Sequence, residues 1–221
     1  MKKLINNFIK QNDKYIALTF DDGPNGANTI NILKTLKKHK AKATFFLLGN
    51  RLEDYTINKK VYIKYHCEIG NHSFDHKSIQ ASETNSILNS IIQCQNAIYK
   101  SFNVTPTLFR APYGEINKDV LLSLKELNLT PIRWSVDSED WCTDSKENII
   151  ANVLNNIADG DIVLMHDKKQ ITIDALDFIL DTLSQNGFSF VTVSELFKIK
   201  DIALKPGEVY ISANKKYDSI K

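Results

Sequence analysis

No stretch of this 221-residue chain approaches the roughly 18–20 consecutive apolar residues of a membrane-crossing helix, so no transmembrane segment is expected. Paired cysteines are also missing. Cys67, Cys94 and Cys142 lie far apart and are odd in number, which indicates neither a zinc knuckle nor a C-x-x-C redox motif; small buried thiols are the expected role. There is no excess of one charge: 28 basic residues face 26 acidic ones, for a net +2. That balance gives no support to a nucleic-acid partner or an anionic membrane surface. The lysine pairs Lys37-Lys38 and Lys59-Lys60 read as solvated faces. The N-terminus opens on a basic pair, as a secretory signal would, but Asn6, Asn7, Lys10, Gln11 and Asn12 interrupt any apolar h-region of about 7–15 residues. As written the chain carries no export address; it reads as extracellular or cell-wall-associated if a signal has been trimmed, and as cytoplasmic otherwise. No low-complexity tract or linker divides it, so a single domain is expected over 1–221.

What is present is alternation. Seven short runs rich in Phe, Val, Ile and Thr read as strands: Tyr15–Phe20, Lys42–Gly49, His66–His72, Thr107–Pro112, Pro131–Asp137, Asp161–Asp167 and Phe188–Val193. Several are apolar on both faces, as buried parallel strands are. Between them lie segments of helical period. Ile87, Leu88, Ile91, Ile92, Ile98 and Tyr99 keep one apolar face from about Glu83 to Lys100. Val120, Leu121, Leu124 and Leu127 mark another helix, with Asn117 as its cap. Ile173, Leu176, Ile179, Leu180 and Leu183 mark a third, ended by Gly187. The tail from about Leu196 is expected to run from a final helix into a loosely packed end. A repeated βα unit predicts an α/β fold with a parallel sheet, doubly wound or closed into a barrel. Both architectures put function at the carboxyl ends of the strands.

The reactive residues cluster there. Asp21 and Asp22 follow the first run, His72 and His76 the third, and Arg110 ends the fourth. Asp137, Asp140 and Trp141 follow the fifth, and His166 ends the sixth. In His72-Ser73-Phe74-Asp75-His76 a helical turn would put both imidazoles on one face, within reach of one metal ion; the alternative is a pair of hydrogen-bonded surface histidines. Adjacent side chains leaving a strand diverge, so one carboxylate of Asp21-Asp22 can bind metal while the other faces an attacking water. Gly23 and Pro24 then turn the chain away. Together these form a His, His, Asp set with open positions, as a catalytic metal site requires. Arg110 ends an apolar run and needs a carboxylate partner such as Asp21. Asp137 is positioned to orient His166, and Trp141 to wall a sugar or acetyl group, although a partly buried core tryptophan reads equally well.

Five blocks in order, TFDDGP (Thr19–Pro24), HSFDH (His72–His76), RAPYG (Arg110–Gly114), DSEDW (Asp137–Trp141) and LMH (Leu164–His166), resemble the polysaccharide deacetylases of the NodB-homology type, carbohydrate esterase family four. The resemblance spans about Tyr15 to Val193, within a motif-bearing core of about 15–197. It implies a distorted (β/α)7-type barrel and a metal-dependent hydrolase that releases acetate from an N-acetylglucosamine polysaccharide such as peptidoglycan or chitin-like oligomers. It implies Asp21 as base, Asp22, His72 and His76 as ligands of a divalent ion (zinc, with cobalt as the alternative), and Arg110 as the partner of the base. It further implies the Tyr113 N–H as oxyanion donor, Asp137 as the residue tuning the catalytic His166, and Pro112, Trp141 and Leu164 as substrate-binding positions. Asp140 belongs to its motif without an assigned role. A polysaccharide is then the expected partner, with the chain acting as a monomer. Two rivals share the fold: an O-acetyl esterase on acetylated xylan, and a non-catalytic glycan-binding protein, whose signature would be the loss of a ligand or the base. Adjacent Asp21 and Asp22 do not suit a glycosidase, whose carboxylates stand about 5–9 Å apart across the bond.

Overall fold

The computed structural model describes residues 14–54 and 60–216; the N-terminal segment read above, Lys59 and the end of the tail lie outside them. Its central strand, β1 (Lys14–Gly23), is buried from Ile16 onward. It is flanked in parallel by β2 (Ala43–Leu47) and β7 (Ile162–His166). Beyond β2 follow β3 (Glu68–Asn71), β4 (Leu108–Phe109) and β5 (Thr130–Pro131), and beyond β7 comes β6 (Val136–Asp137). A short β8 (Phe188–Phe190) joins the start of β1. Every strand of this sheet runs parallel to its neighbours, and the sheet curls into a distorted barrel.

The run read as one strand over Pro131–Asp137 is two. Between β5 and β6 the chain crosses from one edge of the curled sheet to the other. Ile132 N–H still donates to Phe109 O at 2.8 Å, whereas Ser135 N–H donates to Ile162 O at 3.0 Å. The exposed polar Ser135 and half-buried Arg133 and Trp134 break the apolar continuity a single strand would need.

Helices cover the outside. In α1 (Ala27–Lys38) Ile32, Leu33 and Leu36 are buried, while Lys37 and Lys38 are exposed, as read. The helix expected over about 83–100 is α4 (Thr84–Phe102), lying after the short α2 (Gly49–Asp54) and α3 (Lys60–Lys64). Asn117 caps α5 (Lys118–Glu126) by accepting the Val120 N–H at 2.9 Å. After α6 (Lys146–Leu154), α7 (Gln170–Gln185) buries one full apolar stripe and ends before Gly187, whose φ of 81° suits a residue without Cβ. A reciprocal capping box of Thr192 and Glu195 opens α8 (Val193–Ile199). Among the described residues no helix is long and apolar enough to cross a membrane.

The tail differs from expectation. It packs as a two-stranded antiparallel piece, β9 (Tyr210–Ser212) with β10 (Lys215–Lys216). Tyr210 is 1% exposed, stacks edge-on against Phe197 at 5.1 Å, and its carbonyl accepts the Arg133 N–H at 2.8 Å. Asp161 bridges Ser212, and Ala213 N–H donates to Gly160 O at 2.8 Å. The tail therefore closes the seam between β5 and β6, because the crossing segment there leaves main-chain groups that need partners. The cysteines also differ in part: Cys94 is buried, Cys67 half-buried and Cys142 exposed. Burial pushes the Cys67 and Cys94 thiols up to about 12.

Removing the Tyr210 ring should leave a cavity at this seam. Tyr210→Ala is expected to cost on the order of 3 kcal/mol, read as a lowered midpoint in urea with the slope unchanged.

Candidate active site

The strand ends converge as the parallel topology requires. Asp21 on β1 sits in register beside His166 on β7. His72 follows β3, and its N–H donates to Leu47 O at the end of β2 at 3.0 Å. Asp21, Asp22, His72, His76, Tyr113, Asp137, Trp141, Leu164 and His166 all line one cavity of about 550 Å³.

The floor is Arg110, fully buried. Its Nη1 donates to Asp21 Oδ1 at 2.9 Å and to Thr19 Oγ1 at 2.6 Å; its Nε and Nη2 donate to the carbonyls of Ile132 and Arg133 at 3.1 and 2.9 Å. The guanidinium also lies 4.2 Å from the Phe46 ring centroid. Burial draws the Arg110 guanidinium below its ordinary value, and the Asp21 carboxylate beside it opposes that. The expected Arg110–Asp21 pair is thus present, and it fixes the plane of the Asp21 carboxylate from below.

Asp22, His72 and His76 come together beside it. Asp22 Oδ1 lies 3.4 Å from His72 Nε2 and 3.2 Å from His76 Nε2. His72 Nδ1 sits 2.8 Å from the Arg110 carbonyl, an acceptor, so Nδ1 carries the hydrogen and Nε2 offers a lone pair. Burial and the neighbouring His72 ring lower the His76 imidazole, which favours the neutral form a metal ligand needs. Burial works against ionisation of Asp22, but the two imidazoles and the Lys168 ammonium hold its carboxyl well below the usual range. Asp22 Oδ1 is buried and finds no hydrogen-bond partner among the described residues. An orphaned carboxylate oxygen facing two imidazole nitrogens is a donor set that a divalent cation satisfies, and one ligand atom from each residue lies within 4.8 Å of the others.

The two histidines do not share a helical turn. The segment after β3 is irregular, with Ser73 at φ 68° and His76 at φ 57°. Side chains rather than a helix shape it: Asn71 Oδ1 accepts the Ser73 N–H at 2.8 Å, Ser73 Oγ the His76 N–H at 3.1 Å, and Ser90 Oγ the Phe74 N–H at 2.9 Å. These local bonds replace the i to i−4 ladder.

On the opposite flank His166 is held by Asp140, not by Asp137. Asp140 Oδ1 lies 2.7 Å from His166 Nδ1, while its Oδ2 accepts the His166 N–H and the Thr172 hydroxyl, each at 2.8 Å. Asp137 instead turns back on its own loop, accepting the Glu139 N–H at 2.9 Å. The physical reason is the turn at Glu139, with φ 55°, which brings Asp140 inward under β7. Burial alone would lower the His166 imidazole; its hydrogen bond to Asp140 and the charges of Asp140, Asp21 and Asp22 raise it. Burial, with Asp140 and Glu139 nearby, raises the Asp137 carboxyl.

The rim is aromatic and basic. Tyr113, in a left-handed conformation within a short 3-10 turn (Pro112–Gly114), is 67% exposed and stands edge-on to His76 at 4.7 Å. Trp141 is 61% exposed and Leu164 buried, forming outer and inner parts of the wall. Pro112, by contrast, is buried and opens on a separate small cleft with Ile79, Ile87 and Phe109; starting the turn points its ring away from the mouth. Lys168, whose Nζ lies 2.7 Å from Asp22 Oδ2, is a site neighbour that carried no signal in the sequence.

The sequence pattern of a family described as polysaccharide deacetylase matches residues 9–132. The peptidoglycan-N-acetylglucosamine deacetylase PgdA of Listeria monocytogenes is 40% identical over 186 residues, covering 84% of this chain but only 39% of that protein. A peptidoglycan-N-acetylglucosamine deacetylase of Bacillus cereus is 38% identical, covering 87% of this chain and 92% of that one. The structure of a family 4 acetyl xylan esterase from Clostridium thermocellum, in complex with a cobalt ion, matches with a TM-score of 0.84 and 33% identity, covering 90% of this chain and 98% of the other.

Asp140→Asn removes the charge that raises His166, so proton NMR should show the His166 titration midpoint at lower pH in the variant. The stabilisation this pair gives is full below the unfolded-state value of about 6.5 and fades as pH rises through the raised native midpoint. Denaturant titrations across that range should show the gap between wild type and variant narrowing; an unmoved midpoint would sink the assignment.

Proposed function

The chain belongs to the polysaccharide deacetylase family, and from that premise we propose that it removes N-acetyl groups from an N-acetylglucosamine polysaccharide, peptidoglycan first among them, with a divalent cation held by Asp22, His72 and His76. The observation that carries this reading is the grouping in one cavity: Asp21 braced by Arg110 on one strand end, His166 braced by Asp140 on the next, and the cation ligands Asp22, His72 and His76 on the other side of Asp21. The names of the Listeria and Bacillus relatives support the choice of polymer.

A divalent cation at that site supplies Lewis acidity, lowering the pKa of water from about 15.7 toward 7 and polarising a carbonyl. The chain's own residues do the rest. Asp21, held by Arg110, takes a proton from the attacking water, and oxygen adds to the acetamide carbonyl carbon. The Tyr113 N–H donates to the oxygen that becomes negative; one such donor is typically worth about 3–4 kcal/mol in the transition state. His166, with Nδ1 committed to Asp140, carries the transferable proton on Nε2 and delivers it to the departing amine nitrogen. The carbon–nitrogen bond breaks, leaving acetate and a free glucosamine amine. Trp141 and Leu164 enclose the acetyl methyl, and the basic shift of His166 keeps the acid form available near neutral pH. Zinc and cobalt both suit a mixed His/Asp set. A cell-wall substrate would put this work outside the membrane.

The likeness to an acetyl xylan esterase favours a second reading, in which the same residues cleave an O-acetyl ester. Acetate release from N-acetylglucosamine oligomers and peptidoglycan, compared with acetylxylan, separates the two.

Removing metal with a chelator should abolish acetate release, and added zinc or cobalt should restore it. Asp21→Asn should bind Co²⁺ as the wild type does yet lose at least about 100-fold in kcat, the usual scale of a positioned general base. Full activity in either case would rule the mechanism out.

A further inference from the structure

Asp167 is a buried carboxylate that the chemistry above does not use. It follows the catalytic histidine at the end of β7 but does not line the cavity. Its Oδ2 accepts the Thr29 hydroxyl and its Oδ1 accepts Asn25 Nδ2. Thr29 Oγ1 in turn accepts the Asn25 N–H at 2.7 Å, so Asn25 is gripped by both its main chain and its side chain. The Arg51 guanidinium donates to Asn25 Oδ1, which fixes which way the amide points. Asn25 Nδ2 is then shared with the carbonyl of Asp22 at 3.2 Å.

We propose that Asp167 is a positioning residue for the cation site, acting through Asn25 to hold the Asp22 main chain where its carboxylate can meet His72 and His76. This rests on reading those three residues as cation ligands. Asp22 needs such a hold because it stands at φ 69°, a left-handed conformation disfavoured for a residue with a Cβ. If the turn relaxed, the carboxylate would leave the position, held to within about 0.5 Å, from which it can share a cation with the two imidazole nitrogens. The close fit of the turn agrees. A Cβ on Gly23 would lie 2.8 Å from Asp167 Oδ2 and 3.2 Å from a Leu47 methyl, so the main chain after Asp22 rests directly against the Asp167 carboxylate. The sequence Asp22-Gly23-Pro24-Asn25 thus has a counterpart across the sheet, and the order His166-Asp167 places the acid and the brace on successive residues of one strand end.

The test is the Co²⁺ dissociation constant, measured by chelator competition on the full chain, for the wild type, Asp167→Ala, Asn25→Ala and the double variant. Each single change should weaken Co²⁺ binding about 10-fold or more, and the double variant should bind no more weakly than the worse single one, because both act on one link. A merely structural role would lower the melting temperature of each variant while leaving the Co²⁺ affinity of the folded protein near that of the wild type. Should Asp167→Ala fail to fold, Arg51→Gln leaves the buried carboxylate in place and should weaken Co²⁺ binding in the same direction with little change in melting temperature. Binding within twofold of wild type in Asn25→Ala, or multiplied losses in the double variant, overturns the proposal. A wild-type chain that does not bind Co²⁺ removes the cation reading itself, and this inference with it.

Discussion

The arrangement turns on one buried guanidinium. Arg110 is fully excluded from water, and an unpaired charge there would not persist. Its donors go to Asp21, Thr19 and the carbonyls of Ile132 and Arg133, partners that serve three separate requirements of the fold. The two carbonyls lie on the segment that crosses the open side of the curled sheet. Thr19, which passes its own hydrogen to Val163 O at 2.6 Å, ties β1 to β7. Asp21 is the residue proposed to do chemistry. The same cation therefore helps shape the barrel and aims the base, and its main-chain carbonyl orients the His72 ring as well.

Parallel pairing explains why so few residues suffice. Neighbouring parallel strands end at the same level, so Asp21 and His166 become lateral neighbours without any loop having to deliver them. What the loops contribute is orientation. Left-handed residues at Asp22, Ser73, His76, Tyr113 and Glu139 bend the loops around the common cavity. Among the described residues, the other five left-handed non-glycine residues, Lys40, His66, Asn103, Asn128 and Asp201, follow the ends of helices instead.

That division also describes what could be read from the sequence. Strands such as Tyr15–Phe20 and Asp161–Asp167 were legible because they are apolar on both faces, and helices such as Thr84–Phe102 because their stripe repeats at helical spacing. The cluster of reactive groups at strand ends followed from the same alternation. Within the site the failures are in loops. Nothing in D-S-E-D distinguishes Asp137 from Asp140 until the left-handed turn at Glu139 is known. The spacing of His72 and His76 suggested a helical turn that side-chain hydrogen bonds replace. The motif implies a place for Pro112 in the substrate wall, but its position in the turn buries it. Lys168 and Asp167 belong to no apolar pattern, and their partners lie more than a hundred residues away along the chain.

The two-stranded piece that follows the last helix bears on how such a chain should be delimited. Every reactive residue is already in place before Leu196, so a boundary drawn there looks sufficient by chemistry. Yet the polypeptide beyond it supplies the Tyr210 carbonyl and ring that finish the wall on the side where β5 and β6 part. In this architecture the last stretch behaves like the bung of a cask: it touches none of the contents, and its removal would uncover the segment whose two carbonyls, of Ile132 and Arg133, hold Arg110.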